Sequence, residues 1–232
     1  MLLGVVLLYV GAVLVVNGIW LVGQARAASA AAQVPARATA EDAAAVRVPA
    51  GAVARDAAAG QELGGEIVAQ PPPRAEASPL FIQNREVAVL NIFTGFVGVV
   101  AAVTYLVQGN RVGDLASVRA SGFILLFAFT YLWVAANQFL NAGGRAFGWY
   151  CLFVAITAIP AGIYTLQAAK GNTAVIWLGI DWFAWAVLWA MFWALLSLEL
   201  PIARITGWVT ILVGIGTAWA FAIAILEGKV AF

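Results

Sequence analysis

Four tryptophans recur at helical spacing in the stretch DWFAWAVLWAMFW, residues 181–193. They are Trp182, Trp185, Trp189 and Trp193, and on a helix of 3.6 residues per turn they share one face over about 16 Å. Each indole offers a flat apolar surface and one N–H donor. The stripe therefore has two interpretations: it packs as bulk against lipid or neighbouring helices, or it lines a path for a flat polar molecule.

The elements that must position this stripe are apolar. Of the 232 residues, 64% are hydrophobic and 10% are charged, against about 25% charged in a soluble domain. A helix needs about 20 apolar residues to cross a membrane, whereas strands of an outer-membrane barrel alternate apolar and polar residues. The continuous runs predict an all-α membrane protein with six transmembrane helices, near residues 2–23, 87–108, 120–140, 147–168, 174–198 and 206–227.

The chain divides into a first transmembrane helix (1–23), a long loop (24–85) and five further helices (86–232). The loop is rich in Ala, Pro and Gly, which predicts disorder with short Ala-rich helices around residues 38–59. The other loops are short, so we expect three hairpins: helices one and two, three and four, five and six. A cleaved signal peptide is the rival interpretation of the first run, because QARAASA at 24–30 resembles a processing site.

Basic residues predict the orientation, because cytoplasmic loops carry an excess of Lys and Arg. Four basic residues lie on the side of the termini: Arg111, Arg119, Lys170 and Lys229. The other eight lie in the loops after helices one, three and five: Arg26, Arg37, Arg47, Arg55, Arg74, Arg85, Arg145 and Arg204. Both termini are therefore expected on the outer side.

Missing residue types exclude several functions. The chain has no histidine, one cysteine and two methionines, too few ligands for a haem, an iron–sulfur cluster or a zinc site. We therefore expect a protein that holds no metal or cofactor and that is not an enzyme. Charges avoid the middle of the spans, with Asp181 and Glu199 near opposite ends of the fifth helix, so ion-coupled uptake is a disfavoured alternative.

Uncharged polar residues remain, spread over five helices. Each makes an interhelical hydrogen bond worth about 0.6 kcal/mol, or the set lines a route for a neutral solute. Such a route has a purpose, because moving an amide into hydrocarbon without hydrogen bonds costs about 4–8 kcal/mol. The residues are Asn17, Asn91, Thr94, Thr130, Tyr131, Asn137, Thr157, Tyr164, Thr210 and Thr217.

Five segments resemble the AmiS/UreI family of six-helix channels for urea and short-chain amides. They are LLYVGAVLVVNG (7–18), FAFTYLWVAAN (127–137), GWYCLFVAITAIPA (148–161), WFAWAVLW (182–189) and TAWAFA (217–222). The resemblance implies a passive channel for urea or short-chain aliphatic amides in the bacterial cytoplasmic (inner) membrane. It also implies a homohexamer with a pore within each protomer and both termini outside.

The resemblance also implies residues along the path. Trp182, Trp185 and Trp189 match the family's pore tryptophans, and Tyr131 with Phe127 matches its aromatic constriction. Glu199 matches a glutamate near the inner mouth, although an ion pair with Arg204 is the alternative. Asn17 and Asn137 complete the predicted path.

One departure from the family concerns gating. The acid-activated urea channel of this family is gated through histidines, and this chain has none. We therefore expect no sharp opening between about pH 5 and 7. A raised pKa at Asp114, Asp181 or Glu227 would break this expectation.

A different class of function stays open at this point. The bundle could serve as a membrane scaffold or sensor whose long loop recruits a soluble amidase or urease. Deletion of residues 30–80 separates the two hypotheses, because a channel would keep its permeability.

Overall fold

The computed structural model describes residues 1–45, 81–140 and 142–232, which are helical with no strand in these ranges. Within these ranges, six helices are long and apolar enough to cross a membrane, which confirms the predicted fold class. They are α1 (Leu2–Ala45), α2 (Asn84–Val112), α3 (Leu115–Leu140), α4 (Arg145–Ala168), α5 (Thr173–Leu196) and α6 (Ala203–Leu226). Within α6, the segment Gly214–Trp219 is a π-helix.

Polar side chains fix the ends of several helices. Glu86 Oε2 accepts a hydrogen bond from the backbone N–H of Gln83 at 2.8 Å at the start of α2. That helix ends at Gly113, whose φ of 69° suits glycine. Asn172 Oδ1 accepts from the N–H of Val175 at 3.1 Å and so begins α5. The turns between α2 and α3 and between α4 and α5 are consequently short.

The first helix is longer than the sequence predicted. Instead of ending at residue 23 it continues to Ala45. The segment after residue 23 is dominated by alanine, which has the highest helix propensity, so the helix extends beyond its apolar part. Residues 46–80 of the predicted loop lie outside the described residues.

The closely packed helix pairs differ from the predicted hairpins. The largest contacts join α2 with α3, α4 with α5 and α6 with α1. Glycines explain the third pair, because a Cβ on Gly18 would lie 2.6 Å from the carbonyl oxygen of Gly207. Similarly, a Cβ on Gly98 would meet that of Ala128 at 2.8 Å between α2 and α3. Small residues let helix backbones approach closely in membranes, and here they, rather than chain order, determine the pairing.

Both termini lie on one face of the bundle, here called the termini face. The side chain of Asn172 donates to the carbonyl oxygen of Ala231 at 3.0 Å, which ties the C-terminus to the start of α5. The turns at residues 113–114 and 169–172 lie on the same face, and residues 142–144 and 197–202 lie on the opposite face. This arrangement follows from an even number of spans.

Candidate functional site

A cavity of about 480 Å³ lies between the helices and extends inward from the termini face. Met1, Arg119 and Phe232 line it near that face, and Leu14, Tyr131 and Trp189 line it at its deepest part. Its volume falls in the range of about 300–1,000 Å³ typical of small-molecule sites. The cavity can therefore hold a small molecule well inside the bundle.

One wall of this large cavity is aromatic. Trp182, Trp185 and Trp189 all line it, and each is only 5–7% exposed. Phe127 on α3 contacts all three, with ring centroids 5.4, 5.4 and 6.0 Å away. Tilted and edge-on pairs of this kind are worth about 0.5–1.5 kcal/mol beyond their burial. The sequence-predicted tryptophans and Phe127 thus form one packed surface.

Trp193, the fourth member of the stripe, is separate from this surface. Its ring lies against Trp149 of α4, with the centroids 5.9 Å apart. Its indole nitrogen is buried without a hydrogen-bond partner among the residues the structure describes. The stripe therefore divides into three tryptophans on the cavity and one packed between helices.

A second, much smaller cavity of about 30 Å³ lies deeper in the bundle. Both cavities are lined by Leu14, Tyr131 and Trp189. Tyr131 and Trp189 are 4% and 5% exposed, so their rings are held by their neighbours. These three side chains lie between the two cavities and line both, and we call them the constriction.

The three cavity tryptophans differ in what their N–H groups do. Trp185 Nε1 donates to Thr217 Oγ1 of α6 at 2.9 Å. Trp182 and Trp189 make no such side-chain bond in the described ranges, and neither nitrogen is among the enclosed, unpartnered atoms there. Among the residues that the structure describes, the indole N–H groups of Trp182 and Trp189 therefore have no partner, and both side chains line the large cavity.

Asn17 lines the small cavity, but its carboxamide is engaged. Its Nδ2 donates to Asn91 Oδ1 at 3.1 Å, and Asn91 Nδ2 donates back at 2.7 Å. Asn91 also donates to the carbonyl oxygen of Val87 at 2.8 Å. The pair joins α1 to α2 at a buried position, so Asn17 serves the packing of the wall as well as its lining.

The lining of the two cavities does not include two of the predicted path residues, Asn137 and Glu199. Asn137 is half-buried near the end of α3 and lines neither cavity. Glu199 is exposed on the opposite face, where it forms an ion pair with Arg145 rather than with Arg204. The left-handed backbone of Glu199, at φ 56°, turns the chain after α5, and Ser197 Oγ donates to the carbonyl oxygen of Arg145 at 2.9 Å. Glu199 thus fastens α5 to the start of α4.

The burial of the Asp181 carboxyl group was not predicted from the sequence. Asp181 was assigned to the end of its helix, yet it lies two turns inside α5 and is 2% exposed. Its Oδ2 has no hydrogen-bond partner within the described part of the chain. Trp177 and Trp185, one turn on either side, contact Phe221 and Thr217 of α6. The spacing of Asp181 from these two tryptophans was the available signal that it faces the bundle interior.

Asp114 lies outside the spans, between α2 and α3. The Ser117 hydroxyl donates to its carboxylate at 2.6 Å, and the N–H of Ala116 donates at 2.9 Å. These hydrogen bonds, that of Ser117 foremost, hold the pKa of Asp114 below its usual value. Asp114 therefore stays ionised throughout the range from pH 5 to 7.

Comparison with known proteins identifies relatives of the same architecture. Residues 80–229 match the AmiS/UreI family transporter. The putative transporter protein AmiS2 of Rhodococcus erythropolis is 36% identical over 147 residues, covering 62% of this chain and 68% of the relative. The acid-activated urea channel of Helicobacter pylori is 34% identical over 164 residues, covering 60% and 82%.

Structural similarity extends over the whole bundle. The crystal structure of the urea channel from Helicobacter pylori superposes with a TM-score of 0.67 at 25% identity. The superposition covers 99% of each chain, so it includes the first helix, which precedes the residues matched to the family. Together with that match over residues 80–229, it shows that the chain belongs to the AmiS/UreI family of transporters.

Proposed function

We propose that this protein is a passive channel for urea or short-chain aliphatic amides. The observation that carries the proposal is the constriction of Leu14, Tyr131 and Trp189 between two cavities. An aromatic partition of this kind excludes hydrated ions while admitting a flat neutral molecule edge-on. The family relatives named as a urea channel and as an AmiS transporter support the same substrate class.

Permeation follows from the chemistry of the wall. An amide that leaves water loses hydrogen bonds worth about 4–8 kcal/mol. The free indole N–H groups of Trp182 and Trp189 offer donors to its carbonyl oxygen, and the indole faces offer a surface for its plane. A few weak contacts in series lower the barrier without trapping the solute. No covalent step is required, so the proposal is a channel and not an enzyme.

Passive flow, rather than ion coupling, suits the lining. The large cavity is mainly apolar, with Arg119 near its mouth, and Asp181 is not part of its lining. Among the described residues no cluster of His, Cys, Asp or Glu could hold a metal ion. A coupled transporter would need an ion site on the substrate path.

The proposed setting is the bacterial cytoplasmic membrane, with a homohexamer in which each protomer has its own pore. The excess of arginine in the loops after the first, third and fifth helices supports an orientation with both termini outside. Apolar side chains such as Phe96, Phe153 and Leu212 are exposed on the outer surface of the single bundle, as lipid or neighbouring protomers require. The mass of the purified protein in detergent or nanodiscs tests the oligomer.

Stopped-flow light scattering on proteoliposomes tests the function. We would compare urea, acetamide and glycerol at pH 5 and 7.5, with empty liposomes as the control. Entry of urea or acetamide well above the control at both values supports the channel. Entry no faster than in empty liposomes contradicts it.

The scaffold alternative is tested separately on the long loop. Removal of residues 46–80 should leave permeability unchanged if the bundle alone is the channel. A soluble amidase or urease partner would instead be lost from the membrane fraction of cells that carry the shortened protein.

A further inference from the structure

The π-helical segment of α6, Gly214–Trp219, contacts residues that line the large cavity, Leu14 and Trp185. At the end of this segment, the N–H of Ala220 donates to the carbonyl oxygen of Ile215, five residues earlier. Gly214 lies against the constriction, since a Cβ there would be 2.8 Å from Cβ of Leu14. Thr217 reaches the aromatic wall through Trp185. One short segment thus contacts two parts of the path.

Thr217 is held in place by a second hydrogen bond. Its Oγ1 donates to the carbonyl oxygen of Val213 at 2.7 Å while accepting from Trp185 Nε1 at 2.9 Å. The hydroxyl proton is therefore used along the helix, and a lone pair is aimed at the indole. A threonine in this state can only accept from Trp185, so the geometry fixes which group donates.

The wide turn has a physical consequence for this contact. A π-turn accommodates one more residue than an α-turn and changes the faces of the residues around it. In α6 it lets Gly214 face α1 while Thr217 faces α5. π-segments of this kind occur frequently at functional sites.

We infer that Thr217 is a positioning residue that fixes the ring of Trp185 through its indole N–H. As a result, Trp185 presents its face to the cavity as a rigid surface, while Trp182 and Trp189 supply the N–H donors to the permeant. This inference rests on the proposed channel function. It assigns different tasks to three tryptophans that the sequence pattern treats as equivalent.

Substitution of Thr217 by Val tests the inference, because valine keeps the shape and removes the acceptor. Thr217→Val should lower acetamide permeability and change the acetamide-to-urea ratio by about two- to tenfold, the range that one neutral hydrogen bond commands. Thr217→Ser keeps the acceptor and should restore both values. Thermal unfolding in detergent would be recorded for each variant.

Thr157→Val is the matched control. Thr157 Oγ1 also donates to a carbonyl oxygen four residues earlier, that of Phe153 at 2.8 Å, but it lies on the exposed side of α4. Its substitution should leave the permeability ratio unchanged. If Thr157→Val changed the ratio as much as Thr217→Val, the inference would be overturned. The effect would then come from losing a threonine hydrogen bond to the helix backbone, not from losing the contact with Trp185.

A double-mutant cycle isolates the contact, and two alternative substitutions at Thr217 allow it to be completed when one of them does not fold. Trp185→Phe should alter the permeability ratio in the same direction, and adding Thr217→Val or Thr217→Ala should produce little further change. Additive effects, or failure of Thr217→Ser to restore the ratio, would overturn the inference. Failure of the proposed function would appear differently, as wild-type entry equal to that of empty liposomes.

Discussion

Tyr131 on α3 and Trp189 on α5 lie at the boundary between two cavities, because both side chains line the large cavity and also the small one beyond it. They come from helices that are not consecutive in the chain, and Phe127 lies beside Trp189 with the ring centroids 6.0 Å apart. Leu14 of α1 completes the partition. The geometry of this partition consequently depends on the relative positions of three helices.

Truncation of either ring should weaken discrimination between solutes. We expect Trp189→Ala and Tyr131→Ala each to change the acetamide-to-glycerol permeability ratio by about tenfold, equivalent to about 1.4 kcal/mol in a barrier. Trp208→Ala is the control, because Trp208 is 46% exposed and lines neither cavity. Stopped-flow measurements on proteoliposomes give the ratios. Equal effects from all three variants would indicate a packing role for the rings.

The backbone contact between α1 and α6 should be intolerant of a methyl group. Gly18→Ala would place Cβ 2.6 Å from the carbonyl oxygen of Gly207, which cannot move as a flexible side chain can. We expect a loss of about 1–3 kcal/mol in the free energy of unfolding. Gly122→Ala on α3 is the control, since its Cβ would meet nothing within 4 Å. Thermal unfolding in detergent that ranks Gly122→Ala as the more damaging would contradict this account.

The amide pair between α1 and α2 should behave as a unit. Asn91→Leu leaves the buried carboxamide of Asn17 without its partner, at a cost of about 1–3 kcal/mol. The double variant Asn17→Leu with Asn91→Leu should lose less than the sum of the single losses, because no polar group is then left unpaired. The free energy of unfolding would be measured for both single variants and the double variant. If the losses are strictly additive, the two amides act independently.

Local patterns and long-range contacts differ in how far the sequence reveals them. Apolar runs gave all six spans, and spacing gave the shared face of Trp182, Trp185 and Trp189, because both properties depend on neighbours along the chain. The pairing of α1 with α6 rests instead on glycines about 190 residues apart, Gly18 and Gly207, which chain order does not connect.

The same distinction explains why the side-chain contacts of Thr217 and Glu199 were not predicted. Thr217 looked like one of several polar residues, and only its distance of 2.9 Å from the indole of Trp185 singles it out. Glu199 lies on the face opposite the termini, but its ion pair with Arg145 rather than Arg204 depends on the left-handed backbone of Glu199 itself, which turns the chain after α5. A backbone angle of that kind at a glutamate has no signature in the sequence.

Permeability should stay nearly constant between pH 5 and 7. The chain has no histidine, and the pKa of Asp114 is held below its usual value by Ser117 and the N–H of Ala116. A carboxyl group with a lowered folded pKa stabilises the fold above its unfolded pKa, about 3.9 for Asp, and this stabilisation is lost as the pH falls through the folded value. The contribution of Asp114 at the start of α3 is therefore complete across pH 5–7 and declines only in stronger acid.

The buried carboxyl of Asp181 provides the internal control for that prediction. Initial rates of urea entry at half-unit steps from pH 5 to 7.5 should form a flat profile in the wild type, and Asp181→Asn should superpose on it. A clear rise on acidification would refute the prediction. If Asp181→Asn abolished that rise, the response would belong to the unpartnered carboxyl inside α5; if Asp114→Asn abolished it, the turn between α2 and α3 would be the sensor.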